Sequence, residues 1–158
     1  MSKQRIIQGD ALDVMRGLPD DEIDCIVTSP PYWALRDYGI AEQIGLEGYF
    51  QDYIAKLCDI FDEAKRILKP TGTCWVNLGD TYGTRSGNGV RKGKQATNRG
   101  TQYNRGWQEN GKAGVKGMEK CLLQIPSRFA IAMTERGWIL RNTIIWHKPN
   151  AMPQSVKD

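Results

Sequence analysis

Ser29-Pro30-Pro31-Tyr32 is the stretch of this sequence best suited to chemistry. Two consecutive prolines fix φ and remove two backbone donors, so the Ser29 and Pro30 carbonyls stand as acceptors on a stiff loop beside the Tyr32 ring. Such a loop suits a substrate that carries an amino group on a flat ring. The amine donates to the Ser29 hydroxyl and the Pro30 carbonyl while Tyr32 stacks on the ring. The same four residues also describe a polyproline turn leaving a strand, or a loop that docks a peptide. Two carboxylates stand at comparable places. Asp10 faces a ligand or caps the next helix by accepting from the backbone at Asp13. Asp80, in Gly79-Asp80-Thr81-Tyr82, faces a pocket or forms a turn. Arg36 and Asp37 hold the proline loop in shape or simply solvate it.

The elements that must position these residues follow from apolar spacing. Residues 5–8 read as a short strand, Ala11 to Leu18 as a short helix, and Ile23 to Thr28 as a strand running into Ser29. Strand, helix and strand over so short a stretch make a βαβ unit. Phe50, Tyr53, Ile54, Leu57, Cys58, Phe61, Ala64, Ile67 and Leu68 recur at three- and four-residue steps, which predicts a long amphipathic helix stopped by Pro70. Thr73 to Leu78 then reads as a buried strand, Ile125 to Arg136 as a helix opened by Pro126, and Trp138 to Trp146 as a last strand. This alternation is that of an α/β fold with an open, mainly parallel sheet. Ligands of such sheets bind beyond the carboxyl ends of the strands, where Asp10, Ser29 and Asp80 fall.

Composition narrows the function further. The chain has 158 residues, a net charge of +4, four cysteines and one histidine. That length suits one core. No apolar run reaches the ~20 residues of a membrane helix. The N-terminal residues lack the apolar stretch of a secretory signal, so a cytoplasmic protein is expected. Cys25, Cys58, Cys74 and Cys121 form no Cys-x-x-Cys pair, which argues against zinc and disulfides and for small buried apolar residues. No metal site is expected. Residues 81–120 hold nine Lys or Arg against two Glu, a local charge of +7, and nine of the seventeen glycines. This stretch cannot bury a core and reads as a long basic loop. It is either a solvated insertion or a DNA clamp in which Arg85, Arg91, Lys92, Lys94, Arg99 and Arg105 neutralise phosphates and Tyr103 or Trp107 stacks on exposed bases.

The order of segments resembles that of the amino-methylating DNA methyltransferases, whose catalytic motif is (Asp/Asn/Ser)-Pro-Pro-(Tyr/Phe). The resemblance runs from Ile6 through Ser29-Pro30-Pro31-Tyr32 and Trp33 to Gly39. It continues through Leu68 to Thr73, Leu78-Gly79-Asp80, Gly137 to Asn142, and Ile144 to Pro153. It implies a Rossmann-like fold and S-adenosylmethionine as methyl donor to a base flipped out of double-stranded DNA. Ser29, Pro30, Pro31 and Tyr32 would be catalytic, with Ser29 and the Pro30 carbonyl on the amine and Tyr32 stacked on the base. Asp10, Ser29 and Pro30 would meet the cofactor. Trp33, Asp80, Trp146 and His147 would line the base pocket, although Trp146 also suits a core position. Ser29 favours cytosine N4 over adenine N6, which remains the runner-up. A glutamine-amide methyltransferase uses a similar motif, usually with Asn first.

The glycine-rich cofactor loop of such enzymes, commonly Asp-Pro-Phe-x-Gly-x-Gly between a strand and a helix, is not found in these 158 residues. In one permuted order of the family the catalytic half comes first. Residues 1–158 therefore read as the N-terminal catalytic part of one methyltransferase domain, with its sheet incomplete and the loop 81–120 inserted in it. This is the expectation for a truncated gene, an incomplete reading or a split protein. The resemblance further implies a bacterial, archaeal or phage restriction-modification setting, with a cognate endonuclease and a homodimer as candidate partners. From another class, the chain reads as a nucleic-acid-binding remnant that has lost catalysis.

Overall fold

A computed structural model describes residues 4–35, 38–40, 42–83, 115 and 117–150. Five elements follow in chain order: α1 (Ala11–Arg16), β1 (Ile23–Thr28), α2 (Phe50–Ile67), β2 (Leu68–Val76) and α3 (Ile125–Glu135). β1 and β2 pair in parallel, with Cys25 opposite Thr73, Val27 opposite Trp75 and Thr28 opposite Val76. An irregularity separates this register from the Ile23–Leu68 pair. The parallel crossover is thus β1–α2–β2, and the molecule is α/β.

α2 forms because its apolar residues make one continuous stripe. Phe50, Tyr53, Ile54, Leu57, Cys58, Phe61, Ala64 and Ile67 are all buried. The helix passes into β2 without a loop, since Pro70 disfavours helical φ/ψ at Lys69 and the chain is already extended at Leu68, with φ −82° and ψ 131°. The stripe packs on Ile125, Phe129 and Met133 of α3, on Leu123, and on the inner sheet residues Ile26, Cys74 and Val76. The Phe61 ring meets Phe129 edge-on with centroids 5.2 Å apart.

Charged side chains on α2 tie the other helices to it. Arg66 donates to the carbonyls of Met15 at 2.8 Å and Leu18 at 2.9 Å, fixing the end of α1, and pairs with Glu63 and Asp20. Lys65 donates to the Gly137 carbonyl at 2.9 Å, and Arg136 pairs with Asp59 at 2.8 Å and with Asp62, fixing the end of α3.

Three expectations are corrected. Residues 5–8 and 138–146 form no strand, and Ile6, Ile139, Ile144 and Ile145 are exposed. Both stretches have strand composition, but a strand exists only through ladder partners, and the two strands among the described residues pair with each other. The cysteines are not uniformly buried: Cys58 is buried and Cys74 half-buried, whereas Cys25 and Cys121 are exposed. Cys25 alternates onto the outer face of the sheet, which no helix covers among the described residues. Burial pushes the Cys74 thiol up to about 11, with Cys25 adding to the effect. Among the described residues no helix is long and apolar enough to cross a membrane, and no group of three or more His, Cys, Asp or Glu could hold a metal ion.

Candidate active site

The proline loop leaves the carboxyl end of β1. Asn77 donates to the Thr28 carbonyl at 2.9 Å, one step past the ladder, so β1 and the chain after β2 run together up to Ser29. Ser29 is exposed and Pro30, Pro31 and Tyr32 are half-buried. Neither the Ser29 hydroxyl nor the Pro30 carbonyl has a hydrogen-bond partner among the described residues. Both acceptors are therefore available to a ligand.

The loop is held from below. The Tyr53 hydroxyl, on fully buried Tyr53 of α2, donates to the Pro31 carbonyl at 2.7 Å. Burial raises the Tyr53 pKa well above its ordinary value, with Glu47 and Tyr32 adding to it, so the phenol stays protonated as a permanent donor. Removing that hydroxyl in Tyr53→Phe leaves a half-buried carbonyl without its partner. A loss of about 1–3 kcal/mol is expected by urea denaturation.

A second clamp comes from residues 44–47. Ala34 donates to the Gly45 carbonyl at 2.8 Å, Gly45 donates to Glu47 Oε2 at 2.8 Å, and Glu47 Oε1 lies 3.2 Å from Lys56 Nζ. Gly45 has φ +97°, and a Cβ there would stand 2.9 Å from the Tyr32 carbonyl oxygen, so only glycine fits. On the other side the Tyr32 ring lies on Gly79: a Cβ at that position would be 2.6 Å from both Cδ2 and Cε2 of the ring. Tyr32 is thus bracketed by two glycines, one after β2 and one before α2.

Other candidates are placed as follows. Asp10 caps α1, accepting from Leu12 at 2.9 Å and Asp13 at 3.3 Å, and is exposed. Asp80 accepts through Oδ1 from Thr81 at 2.8 Å and from Ile125 at 3.0 Å, which makes it the turn former that anchors the start of α3. Trp33 sits in the core. It is 2% exposed, edge-on to Phe50, and donates through Nε1 to the Glu47 carbonyl at 2.8 Å. Trp146 and His147 lie in the exposed stretch after α3, with no hydrogen bond, ion pair or ring contact to residues 29–32 among the described residues. Arg36, Asp37, Arg85, Arg91, Lys92, Lys94, Arg99 and Arg105 lie outside the described residues.

The two ends of the basic stretch are joined by a short antiparallel ladder. Tyr82 bridges Leu122, Leu123 donates to the Thr81 carbonyl at 3.0 Å, and Gly83 donates to Cys121 at 2.8 Å. Gly83 allows this closeness, since a Cβ there would be 2.0 Å from the Met118 carbonyl oxygen. Thr81–Gly83 and Cys121–Leu123 are therefore held together next to Asp80.

Sequence reasoning missed Gly45, Glu47 and Tyr53. Tyr53 reads as one more apolar residue of the α2 stripe, and the available signal is its hydroxyl, which needs a partner once buried.

With this geometry in hand, comparison with known proteins is decisive. A family described as DNA methylase matches residues 23–158. The chain belongs to that family. This methylase chain is 49% identical over 153 residues to the Type II methyltransferase M.Cfr9I of Citrobacter freundii, an alignment covering 97% of the chain and 49% of that protein. It is 44% identical over 154 residues to the Type II methyltransferase M.SmaI of Serratia marcescens, covering 98% and 51%. To the Type II methyltransferase M.MwoI of Methanothermobacter wolfeii it is 39% identical over 158 residues, covering 100% of the chain and 19% of that protein. The chain spans about half the length of the first two of these relatives. No solved structure matches it.

Proposed function

We propose that this chain is the catalytic part of a DNA methyltransferase with a Rossmann-like domain, acting on the exocyclic amine of a flipped-out base, with cytosine N4 preferred. The observation that carries the reading is the proline loop: two unpartnered acceptors on a clamped backbone, beside a ring seated on Gly79. Ser29 and the Pro30 carbonyl accept from the amine and draw its lone pair out of conjugation with the ring. Tyr32 stacks on the base. Catalysis here is alignment by fixed acceptors, with no nucleophilic side chain required.

S-adenosylmethionine supplies the electrophilic methyl group. The residues present fit only its reacting end: Ser29 and Pro30 lie open at the carboxyl end of β1, while the Asp10 carboxylate is engaged in capping α1. A full cofactor site needs a glycine-rich strand, loop and helix in addition. Residues 81–120, with their local charge of +7, act as the DNA clamp. A cognate endonuclease and a homodimer belong to the same reading.

Nucleoside analysis of DNA from cells expressing the full coding region tests the proposal. N4-methylcytosine is expected. N6-methyladenine alone overturns the base preference, and unmodified DNA overturns the activity.

A second reading from another class is a DNA-binding remnant without catalysis, resting on the +7 charge of residues 81–120. The clamp is common to both readings and has its own test. Replacing Arg91, Lys92 and Lys94 with Ala is expected to reduce the slope of log K against log salt by about 2–3 for duplex DNA, since each phosphate contact contributes ~0.9. An unchanged slope removes the clamp from both readings.

A further inference from the structure

The helix arginines at the two ends of the molecule are not treated alike. The β1–α2–β2 crossover runs α2 antiparallel to both strands, so Phe50 at its start lies with Ser29 to Tyr32 beyond the carboxyl end of β1. The start of α3 is at the same end, where Asp80 accepts from Ile125 at 3.0 Å. The arginines toward the other end are matched by carboxylates: Arg16 by Asp13 at 3.3 Å, Arg66 by Glu63 and Asp20, and Arg136 by Asp59 at 2.8 Å and by Asp62. Arg128, in the first turn of α3, is the exception. It is exposed and forms no ion pair among the described residues.

Arg128 is nevertheless held in place. Its Nε donates to the Leu123 carbonyl at 2.8 Å, and its guanidinium carbon stands 5.1 Å from the centroid of the Phe50 ring, whose face it covers. Its two terminal nitrogens make no hydrogen bond among the described residues and stay open as a fork of donors. A long side chain ordinarily loses rotamer freedom when it binds, and this one has lost it already in the folded chain. Phe50 in turn meets Trp33 edge-on with centroids 6.0 Å apart, and Trp33 follows Tyr32 in the chain. Two ring contacts therefore separate the guanidinium from the proline loop.

The geometry points to Arg128 as the binding site for one backbone phosphate of duplex DNA, beside the loop that takes the base. A planar fork meets two phosphate oxygens at once, and it does so whatever the base sequence. The inference rests on the reading of the chain as part of a DNA methyltransferase and deepens it. Residues 81–120 supply charge by number, whereas Arg128 is pinned to the core beneath the loop. A phosphate held there fixes where the strand lies relative to Ser29 and Tyr32.

The test uses the protein expressed from the full coding region and a mixed-sequence DNA duplex. Arg128→Met keeps an unbranched apolar stem over Phe50 and removes the charge, so its circular dichroism should match that of the parent. Its slope of log K against log salt should fall by ~0.9, the contribution of one phosphate. Arg128→Lys restores a cation without the Nε bond to Leu123, and should recover most of that slope. A merely structural arginine predicts the reverse, with both variants less stable and the slope unmoved. On the unsubstituted protein, duplex DNA should slow phenylglyoxal labelling of Arg128 severalfold, read by peptide mass, while Arg16 at the far end keeps its rate.

A Met variant with the parent's slope overturns the inference, as does a Lys variant whose slope stays as low as that of Met. Labelling of Arg128 that the duplex does not slow overturns it even where neither variant folds. Slope and labelling require no methyl transfer. Both effects on DNA that stays unmodified leave the phosphate site standing and remove the activity; methylation with an unchanged slope in the Met variant does the opposite.

Discussion

Gly79→Ala in the complete enzyme is expected to lower kcat/KM for DNA methylation by about 5- to 150-fold while leaving thermal stability close to that of the parent. The added methyl would sit 2.6 Å from Cδ2 and Cε2 of Tyr32, well inside van der Waals contact. Both are atoms of one rigid ring, so the whole ring must swing off its seat. A stacking platform for a base is worth roughly 1–3 kcal/mol, and losing it gives the stated range. Tyr32 is half-buried at the surface, so its displacement costs the core little. Methyl incorporation and a melting curve on the same preparation check this. A variant that methylates at the parent rate would remove Tyr32 from the base site, and one that melts far lower would make Gly79 a folding position instead.

Phe61→Ala should have the largest effect on stability, a loss of about 3–5 kcal/mol. Phe61 is 3% exposed and joins three parts of the molecule. It lies on α2, meets Phe129 of α3 edge-on at 5.2 Å, and meets Trp138 at 6.4 Å. Truncation opens a cavity at the point where α2 and α3 touch, which the rigid helix backbones cannot close. Domains of this size hold only ~5–15 kcal/mol in total, so the variant is expected to be partly unfolded at 37 °C. Urea denaturation followed by circular dichroism reads the loss, and Phe61→Leu, which refills most of the volume, should lose less than half as much. Equal losses in the two variants would show that the site relaxes freely.

Elements that owe their stability to local pattern were legible in the sequence. α2 and α3 declare themselves by a continuous apolar stripe, by Pro70 beyond one end and by Pro126 at the start of the other. Ile23–Thr28 was legible as a strand because Ile23, Ile26, Val27 and Thr28 are β-branched and lead into prolines. What failed was whatever depends on a distant partner. Residues 5–8 and 138–146 have strand composition, yet composition does not say whether a neighbouring strand is present to receive their hydrogen bonds. Cys25 and Cys58 are the same residue type, and only the face each occupies separates exposed from buried.

The candidate site divides in the same way. Ser29 to Tyr32 stood out because two prolines beside an aromatic ring is a rare arrangement with few uses. The clamp beneath them was invisible, because Tyr53 hides in the apolar stripe and Gly45 and Glu47 sit in an unpatterned connection. The packing of Trp33 edge-on against Phe50 was equally invisible, because nothing in its sequence neighbourhood is patterned.

The ladder between Thr81–Gly83 and Cys121–Leu123 joins residues far apart in the sequence and staples the entry of α3 to the chain after β2. The entropy of closing so long a stretch of chain grows only slowly with its length. Doubling the length of such a closed loop costs only ~0.6 kcal/mol. A change in the number of residues between Gly83 and Val115 is therefore expected to alter stability by less than ~1 kcal/mol in urea denaturation. The two positions that must survive every such change are Gly83, pressed against Met118, and Asp80, which starts α3.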